Sequence, residues 1–190
     1  MAAGEGRRLR PITEHWPKPV LPIDGKPVVV TLVDDLAAAG CDRIVVVTGH
    51  LAEQVEELLA PLRYDIRFVR QPPGQGSADA VLRAGATPPY LVVAADTVFA
   101  EGDLARFARA GAGFDGAVAQ HGDERAPLWL IGPRVHDFLD PLPGNPPYEL
   151  LDVFGNATDA GAEVSAIQVG RTRDLTDPTD LVRENFPYLK

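Results

Sequence analysis

Residues 43–49, Arg-Ile-Val-Val-Val-Thr-Gly, form a β-branched apolar run that is followed at once by an amphipathic stretch, residues 51–62. The first run does not alternate with polar residues, which is typical of a strand buried on both faces of a sheet. In the second segment Leu51, Val55 and Leu58 recur at helical spacing and lie on one face of a predicted helix. The two segments together predict a buried strand with a helix packed on it.

The same alternation continues along the rest of the chain. Further strands are predicted at residues 65–71, 90–96, 116–120, 127–132 and 162–170. Further helices are predicted at residues 76–85, 102–112, 133–139, 148–161 and 178–190. Buried strands separated by helices indicate an α/β fold, a doubly wound and mostly parallel sheet with helices on both faces. Ligands of such sheets bind beyond the carboxyl ends of the strands, so polar residues there are candidate site residues.

Composition limits the class of partner. The 190-residue chain has 18 Lys and Arg against 27 Asp and Glu, a formal net charge of −9. This acidic field disfavours nucleic acid and anionic membranes, and no apolar run approaches the roughly 20 residues of a membrane span. Cys41 is the only cysteine, which suits a reducing compartment. We therefore expect one cytoplasmic domain over residues 1–190 that binds neither nucleic acid nor membrane. Composition does not decide between a monomer and a homodimer, and both stay open.

The N-terminus leads directly into a glycine-rich turn. Met1, Ala2 and Ala3 precede Gly4 and leave no room for a first strand of about five residues. Either this strand is very short or the true start lies upstream of Met1, and we favour the second interpretation.

The segment after this turn combines a flexible backbone with positive charge. Gly4 and Gly6 permit positive φ angles and a close approach of the backbone to a ligand. Exposed amides in such a loop can hold phosphate oxygens, and Arg7, Arg8 and Lys18 add cations nearby. A surface turn with solvated charges is the alternative interpretation of the loop alone.

Two segments at the N-terminus resemble the signature of the sugar-1-phosphate nucleotidylyltransferase family, AAGxGxRLxPLT followed by PKPLLPxxGKP. They are residues 2–13, Ala-Ala-Gly-Glu-Gly-Arg-Arg-Leu-Arg-Pro-Ile-Thr, and residues 17–27, Pro-Lys-Pro-Val-Leu-Pro-Ile-Asp-Gly-Lys-Pro. The resemblance implies that the glycine-rich loop wraps a nucleoside triphosphate through Ala2, Ala3, Gly4, Gly6 and Arg7. It also implies that Arg8 and Lys18 neutralise charge on the phosphates, and that Pro27 opens a helix.

A third segment is similar to the part of the family that binds the base. Residues 71–81 read Gln-Pro-Pro-Gly-Gln-Gly-Ser-Ala-Asp-Ala-Val. The resemblance implies that Gln71 reads the edge of uracil or thymine and that Gly76 and Ser77 line the base pocket. An amide offers the donor and the acceptor that this edge requires, so UTP or dTTP is the favoured donor. An exposed polar residue at a strand end is the alternative for Gln71.

Two aspartates are the candidate ligands of a metal cofactor, Mg²⁺. Asp96 ends the predicted strand 90–96, where a doubly wound sheet presents its ligands, and a carboxylate is a hard oxygen ligand of the kind Mg²⁺ prefers. Residues 170–181 are similar to the closing segment of the family, which implies Asp174 as the second ligand. In that segment Thr172 and Asp177 replace a common tryptophan and threonine.

The acceptor site departs furthest from the family. Residues 148–152 are similar to the family's E-x-x-D segment, which implies that Glu149 contacts sugar hydroxyls. The Glu-Lys-Pro hairpin of the family has no counterpart in residues 116–125, so the lysine that holds the sugar phosphate is missing, and Arg125 and Arg173 are candidates to replace it.

The resemblance as a whole implies an enzyme, a Mg²⁺-dependent transferase of a nucleotidyl group from an NTP to a sugar 1-phosphate. The alternatives are a non-catalytic nucleotide-binding relative and a cytidylyltransferase that acts on phosphocholine.

Overall fold

The computed structural model describes residues 1–186 and 188. The strands are β1 (Pro22–Ile23), β2 (Lys26–Pro27), β3 (Arg43–Thr48), β4 (Asp65–Arg70), β5 (Tyr90–Val93), β6 (Thr97–Val98), β7 (Gly116–His121), β8 (Glu124–Ile131), β9 (Val164–Gln168) and β10 (Arg173–Asp174). The α-helices are α1 (Val28–Ala38), α2 (Ala52–Leu59), α3 (Ser77–Ala84), α4 (Asp103–Gly111), α5 (Pro133–His136), α6 (Leu150–Asp159) and α7 (Pro178–Asn185). Residues 187, 189 and 190 of the predicted closing helix lie outside the described residues.

The central strands form the mostly parallel arrangement that the sequence predicts. β3 pairs with β4 in parallel, and β9 pairs with β7 in parallel. Strand β8 lies between β5 and β7 and runs antiparallel to both. Only residues 122 and 123 separate β7 from β8, and a connection of two residues can join only antiparallel neighbours. The one reversed strand is therefore a consequence of a tight hairpin.

Met1 and Ala2 link the two groups of strands. The Met1 nitrogen donates to the Val93 carbonyl at 2.7 Å, and the Ala2 amide donates to the Val47 carbonyl at 2.7 Å. These bonds place the N-terminal residues between the carboxyl ends of β3 and β5. The glycine-rich loop that begins at Gly4 therefore emerges at the edge of the sheet where ligands are expected.

Helices cover both faces of the sheet. One apolar cluster packs α1, α2 and α4 against the sheet, and a second packs α3, α5 and α6 against the opposite face. Strand β8 supplies both clusters, because Leu128 and Leu130 belong to the first while Trp129 and Ile131 belong to the second. This period of two is the signature of a strand covered on both sides, and it confirms the doubly wound fold class. In the part of the chain that the structure describes, no helix is long and apolar enough to cross a bilayer.

Candidate active site

Lys18 lies between the two aspartates that the sequence proposes as metal ligands. Its Nζ is 2.5 Å from Oδ2 of Asp96 and 3.9 Å from Oδ2 of Asp174. The Lys18 side chain is only 14% exposed, whereas Asp96 is 31% and Asp174 50% exposed. Three charged groups from distant parts of the sequence thus converge at one point, with the lysine inside and the carboxylates facing outward.

The pairing of β6 with β10 brings the two aspartates together. Its register sets Asp174 opposite Thr97, the residue that follows Asp96. The Thr176 hydroxyl donates to Oδ2 of Asp174 at 3.2 Å and restrains that carboxylate. Each of these strands is two residues long, too short for a hydrophobic period, so periodicity alone could not have found the contact.

The two carboxylates suit a hard cation that keeps part of its water shell. Mg²⁺ typically takes one or two protein carboxylates and completes its coordination with waters and phosphate oxygens. No cluster of three or more His, Cys, Asp or Glu side chains that could hold a metal occurs among residues 1–186 and 188. The donor set at Asp96 and Asp174 therefore fits Mg²⁺ better than a metal enclosed by protein ligands alone.

A cavity of about 360 Å³ joins Lys18 and Asp96 to the glycine-rich loop. Its lining includes Gly4, Gly6, Arg8, Lys18, Asp96 and Thr176. Gly6 has a φ of 61°, and a Cβ there would lie 2.9 Å from the Thr13 side chain, so the loop is shaped by a residue without a side chain. Oxygens of a polyphosphate could meet backbone amides and cations together in this cavity.

The two arginines of the loop differ in their availability. Arg7 Nε donates to Glu5 at 2.9 Å, and this bond raises the pKa of the Arg7 guanidinium. Both arginines line the cavity, but Arg8 forms no ion pair with any group that the structure describes. Of the two guanidinium groups, that of Arg8 is therefore the more available to a phosphate.

Gln71 lies in a second cavity that the same loop bounds, of about 330 Å³. Residues 3–7 and 71–76 line this cavity. Gln71 Nε2 donates to the Gly76 carbonyl at 2.8 Å and to Oδ2 of Asp79 at 2.9 Å. In this structure the amide nitrogen is therefore engaged within the protein and not free to donate to a base. Only Oε1 is left for a ligand.

Ser77 and Glu149 bind each other. Ser77 Oγ donates to Oε2 of Glu149 at 2.7 Å and accepts from the Leu150 amide at 2.7 Å. Neither side chain lines the cavity that contains Asp96 or the one that contains Gln71. The structure thus joins the predicted sugar contact to the base segment and does not bring it together with Lys18 and Asp96.

The two arginines considered for the acceptor phosphate also differ. Arg173 pairs with Asp24 and, at 3.4 Å, with Glu184, and the hydrogen bond to Asp24 raises its pKa. Arg125 is exposed and lies opposite Gln120 near the end of β7, and the described residues give it no ionic partner. Of the two, Arg125 is therefore the one whose charge is not already balanced by a described carboxylate.

At Gly76 the backbone of residues 71–81 packs closely against the backbone of Tyr148, just before α6. Its φ of 88° and ψ of 176° belong to a region that is essentially limited to glycine. A Cβ at this position would lie 2.3 Å from the Tyr148 carbonyl oxygen and 2.5 Å from the Tyr148 nitrogen. Backbone bonds hold this approach, from the Ala78 amide to the Tyr148 carbonyl and from the Tyr148 amide to the Gln75 carbonyl, each at 2.9 Å.

We expect Gly76→Ala to lower the free energy of unfolding by about 2 kcal/mol, because the new Cβ strains the backbone and meets Tyr148. Gly74→Ala is the matched control, since Gly74 also has positive φ, 73°, but nothing lies within 4 Å of its Cβ position. The control should lose only about 1 kcal/mol from conformational strain. Denaturant unfolding measures both, and equal losses would show that the contact with Tyr148 is unimportant.

The sequence of this chain is similar to those of known proteins. The family described as the MobA-like NTP transferase domain matches residues 1–155. A mannose-1-phosphate guanyltransferase from Kluyveromyces lactis is 29% identical over 211 residues, 100% of this chain and 55% of that protein. A 2-aminoethylphosphonate cytidylyltransferase from Lancefieldella rimae is 46% identical over 54 residues, 28% of this chain and 22% of that protein. The chain spans about half or less of the length of these curated relatives.

A solved structure shares the fold. The UDP-glucose pyrophosphorylase from Acinetobacter baumanii superposes with a TM-score of 0.80 at 17% identity, covering 96% of this chain and 89% of that one. The family match and these likenesses confirm the resemblance that the N-terminal segments predict.

Proposed function

Because the chain belongs to the family of MobA-like NTP transferase domains, we propose that it transfers a nucleotidyl group from an NTP to a sugar 1-phosphate and releases pyrophosphate. The observation that carries this proposal is the meeting of Lys18, Asp96 and Asp174 beside the cavity of the glycine-rich loop. The relative named as a mannose-1-phosphate guanyltransferase supports a sugar 1-phosphate as the acceptor. Neither curated relative named above is a uridylyl or thymidylyl transferase by name, so the proposed donor rests on the residues of this chain.

The reaction requires placement and charge neutralisation more than a reactive side chain. An oxygen of the acceptor phosphate attacks the α-phosphorus in line, and the bond to the bridging oxygen of the β-phosphate breaks. The electron pair of that bond leaves with pyrophosphate, so negative charge grows on the leaving group. Preorganised cations lower the free energy of such a transition state. Arg7, Arg8 and Lys18 line the cavity, and Arg8 and Lys18 are the two cations proposed to meet the phosphates.

Asp96 and Asp174 are the residues that would hold Mg²⁺. The ion supplies Lewis-acid polarisation of phosphoryl oxygens and neutralises their charge. The Lys18 ammonium balances the charge of the same two carboxylates in the structure. It can therefore turn to phosphate oxygens once a cation takes over that task.

UTP or dTTP is the proposed donor. The unengaged Oε1 of Gln71 is an acceptor, and it pairs with the ring N–H at position 3 of uracil or thymine. The structural neighbour named as a UDP-glucose pyrophosphorylase supports a uridine nucleotide in this fold. Guanine also carries a ring N–H, so GTP belongs in the test.

A screen for pyrophosphate release tests the proposal. ATP, GTP, CTP, UTP and dTTP are each combined with a panel of sugar 1-phosphates, with phosphocholine, and with no acceptor. We expect release that EDTA abolishes, with UTP or dTTP and a sugar 1-phosphate. Release with CTP and phosphocholine alone would support the cytidylyltransferase alternative. Nucleotide binding without release for any pair would support a non-catalytic protein.

A further inference from the structure

We propose that Asp79 is a positioning residue that fixes the orientation of the Gln71 amide, so that the site selects nucleotides whose base presents a ring N–H. The inference rests on the proposed function in one respect, that Gln71 faces the base. The contact between Gln71 and Asp79 is independent of that function and can be tested by itself.

The contacts of Gln71 permit only one orientation of its amide. A side-chain amide nitrogen carries two hydrogens, and here Nε2 donates one to the Gly76 carbonyl at 2.8 Å and one to Asp79 at 2.9 Å. A flipped amide would set Oε1 against a carbonyl oxygen and a carboxylate, with no hydrogen between them. The two acceptors therefore hold the nitrogen inward, and Oε1 is the atom that remains.

Asp79 is itself held firmly in place. The residue is 6% exposed, and its Oδ2 accepts from Arg83 Nε at 2.6 Å. Both residues lie on α3 at a spacing of four, so one helix face orders the carboxylate. An ionised carboxylate can only accept hydrogen bonds. Because Asp79 is buried, water competes little with the Gln71 amide for its oxygens. Asp79 thus favours the orientation in which the Gln71 nitrogen faces it, and an apolar side chain would not impose this orientation.

An amide that can only accept distinguishes bases at the ring nitrogen. The ring N–H of uracil, thymine or guanine can donate to Oε1, whereas N3 of cytosine and N1 of adenine present lone pairs to it. When a polar group is left unpaired in a closed site, the affinity for the nucleotide falls roughly 10-fold to 100-fold. Among the residues that the structure describes, none donates to Oε1 of Gln71, so this acceptor is available in the cavity beside the glycine-rich loop.

The simpler alternative is that Asp79 only stabilises α3, because an acidic residue in the first turn interacts well with the helix dipole and pairs with Arg83. Two matched variants separate these roles. Gln71 Nε2 and Arg83 Nε donate to the same oxygen of Asp79, Oδ2, so the amide oxygen of an asparagine could serve both partners. Asp79→Leu removes the acceptor and keeps a side chain of similar length, which frees the Gln71 amide to turn. Arg83→Gln removes the ion pair and leaves the carboxylate beside Gln71.

The first measurement is the ratio of kcat/KM for UTP to kcat/KM for CTP in the intact chain. We expect Asp79→Leu to lower this ratio about 10-fold or more, mainly through KM. The change in Arg83→Gln should stay within about twofold. An unchanged ratio in Asp79→Leu, or equal losses in both variants, would overturn the proposal. If no nucleotide yields pyrophosphate, the proposed function fails. Equilibrium binding of UTP and CTP then takes the place of turnover. Equal affinities of the parent chain for the two nucleotides would overturn the inference about Asp79.

The second measurement needs no activity. In ¹⁵N-labelled protein the Gln71 side-chain NH₂ signals, assigned by their loss in Gln71→Met, should exchange slowly with solvent because both hydrogens are bonded. We expect this protection to persist in Arg83→Gln and to be lost in Asp79→Leu. Exchange in the parent chain as fast as that of an exposed glutamine would overturn the proposal.

Discussion

Replacing Asp96 by asparagine is expected to lower kcat at least about 100-fold while the chain stays folded. The neutral amide is a poor ligand for Mg²⁺, and it leaves the Lys18 ammonium without the carboxylate that lies 2.5 Å from it. The size and shape of the side chain hardly change, so little of the loss can come from packing. Pyrophosphate release at saturating substrates measures the effect, and thermal unfolding of the same sample confirms that the fold survives.

Asp34→Asn is the matched control for this prediction. Asp34 also pairs with a lysine, Lys26, at 2.5 Å, but this pair lies outside the lining of the cavity that contains Asp96. Exposed ion pairs contribute little to stability, so turnover of the control should remain within about twofold of the parent chain. Near-normal turnover of Asp96→Asn would remove Asp96 from the proposed mechanism.

The layers of the fold could be predicted from local pattern because burial on both faces leaves a strong mark. The unbroken apolar run in residues 43–49 corresponds to β3, and residues 51–62 contain α2. The apolar run of β8 does not reveal its direction, since such a run has the same appearance in a parallel and an antiparallel strand. Its antiparallel direction follows from the two-residue turn before it. Hydrophobic pattern determines which faces are buried, and connection length determines strand direction.

The candidate site was less accessible to the sequence. The approach of Asp174 to Asp96 depends on two strands of two residues each, which carry no period, so only the family resemblance indicated it. The engagement of Gln71 Nε2 by Asp79 was missed because the motif was interpreted one residue at a time. Asp79 lies eight positions after Gln71 and contacts it only because α3 folds back on the preceding segment. Such a contact belongs to tertiary structure and leaves no local pattern in the sequence.

Lys18→Met is expected to produce two effects of opposite sign. Turnover should fall at least about 100-fold, because a cation that neutralises the leaving pyrophosphate is lost. Binding of Mg²⁺ to the nucleotide-free protein should strengthen about 10-fold, because Asp96 and Asp174 lose the ammonium that lies 2.5 and 3.9 Å from them and their negative charge is no longer balanced. Pyrophosphate release measures the first effect, and titration calorimetry with Mg²⁺ measures the second.

Lys26→Met is the control, since its ion pair with Asp34 has the same 2.5 Å separation and it should change neither quantity appreciably. The opposite signs are what make the experiment decisive. If Lys18 only held the two carboxylates in position, its removal would disorder them, and Mg²⁺ affinity would fall together with turnover. A fall in both turnover and Mg²⁺ affinity would therefore count against a role for Lys18 at the phosphates. A fall in turnover together with tighter Mg²⁺ binding would support that role.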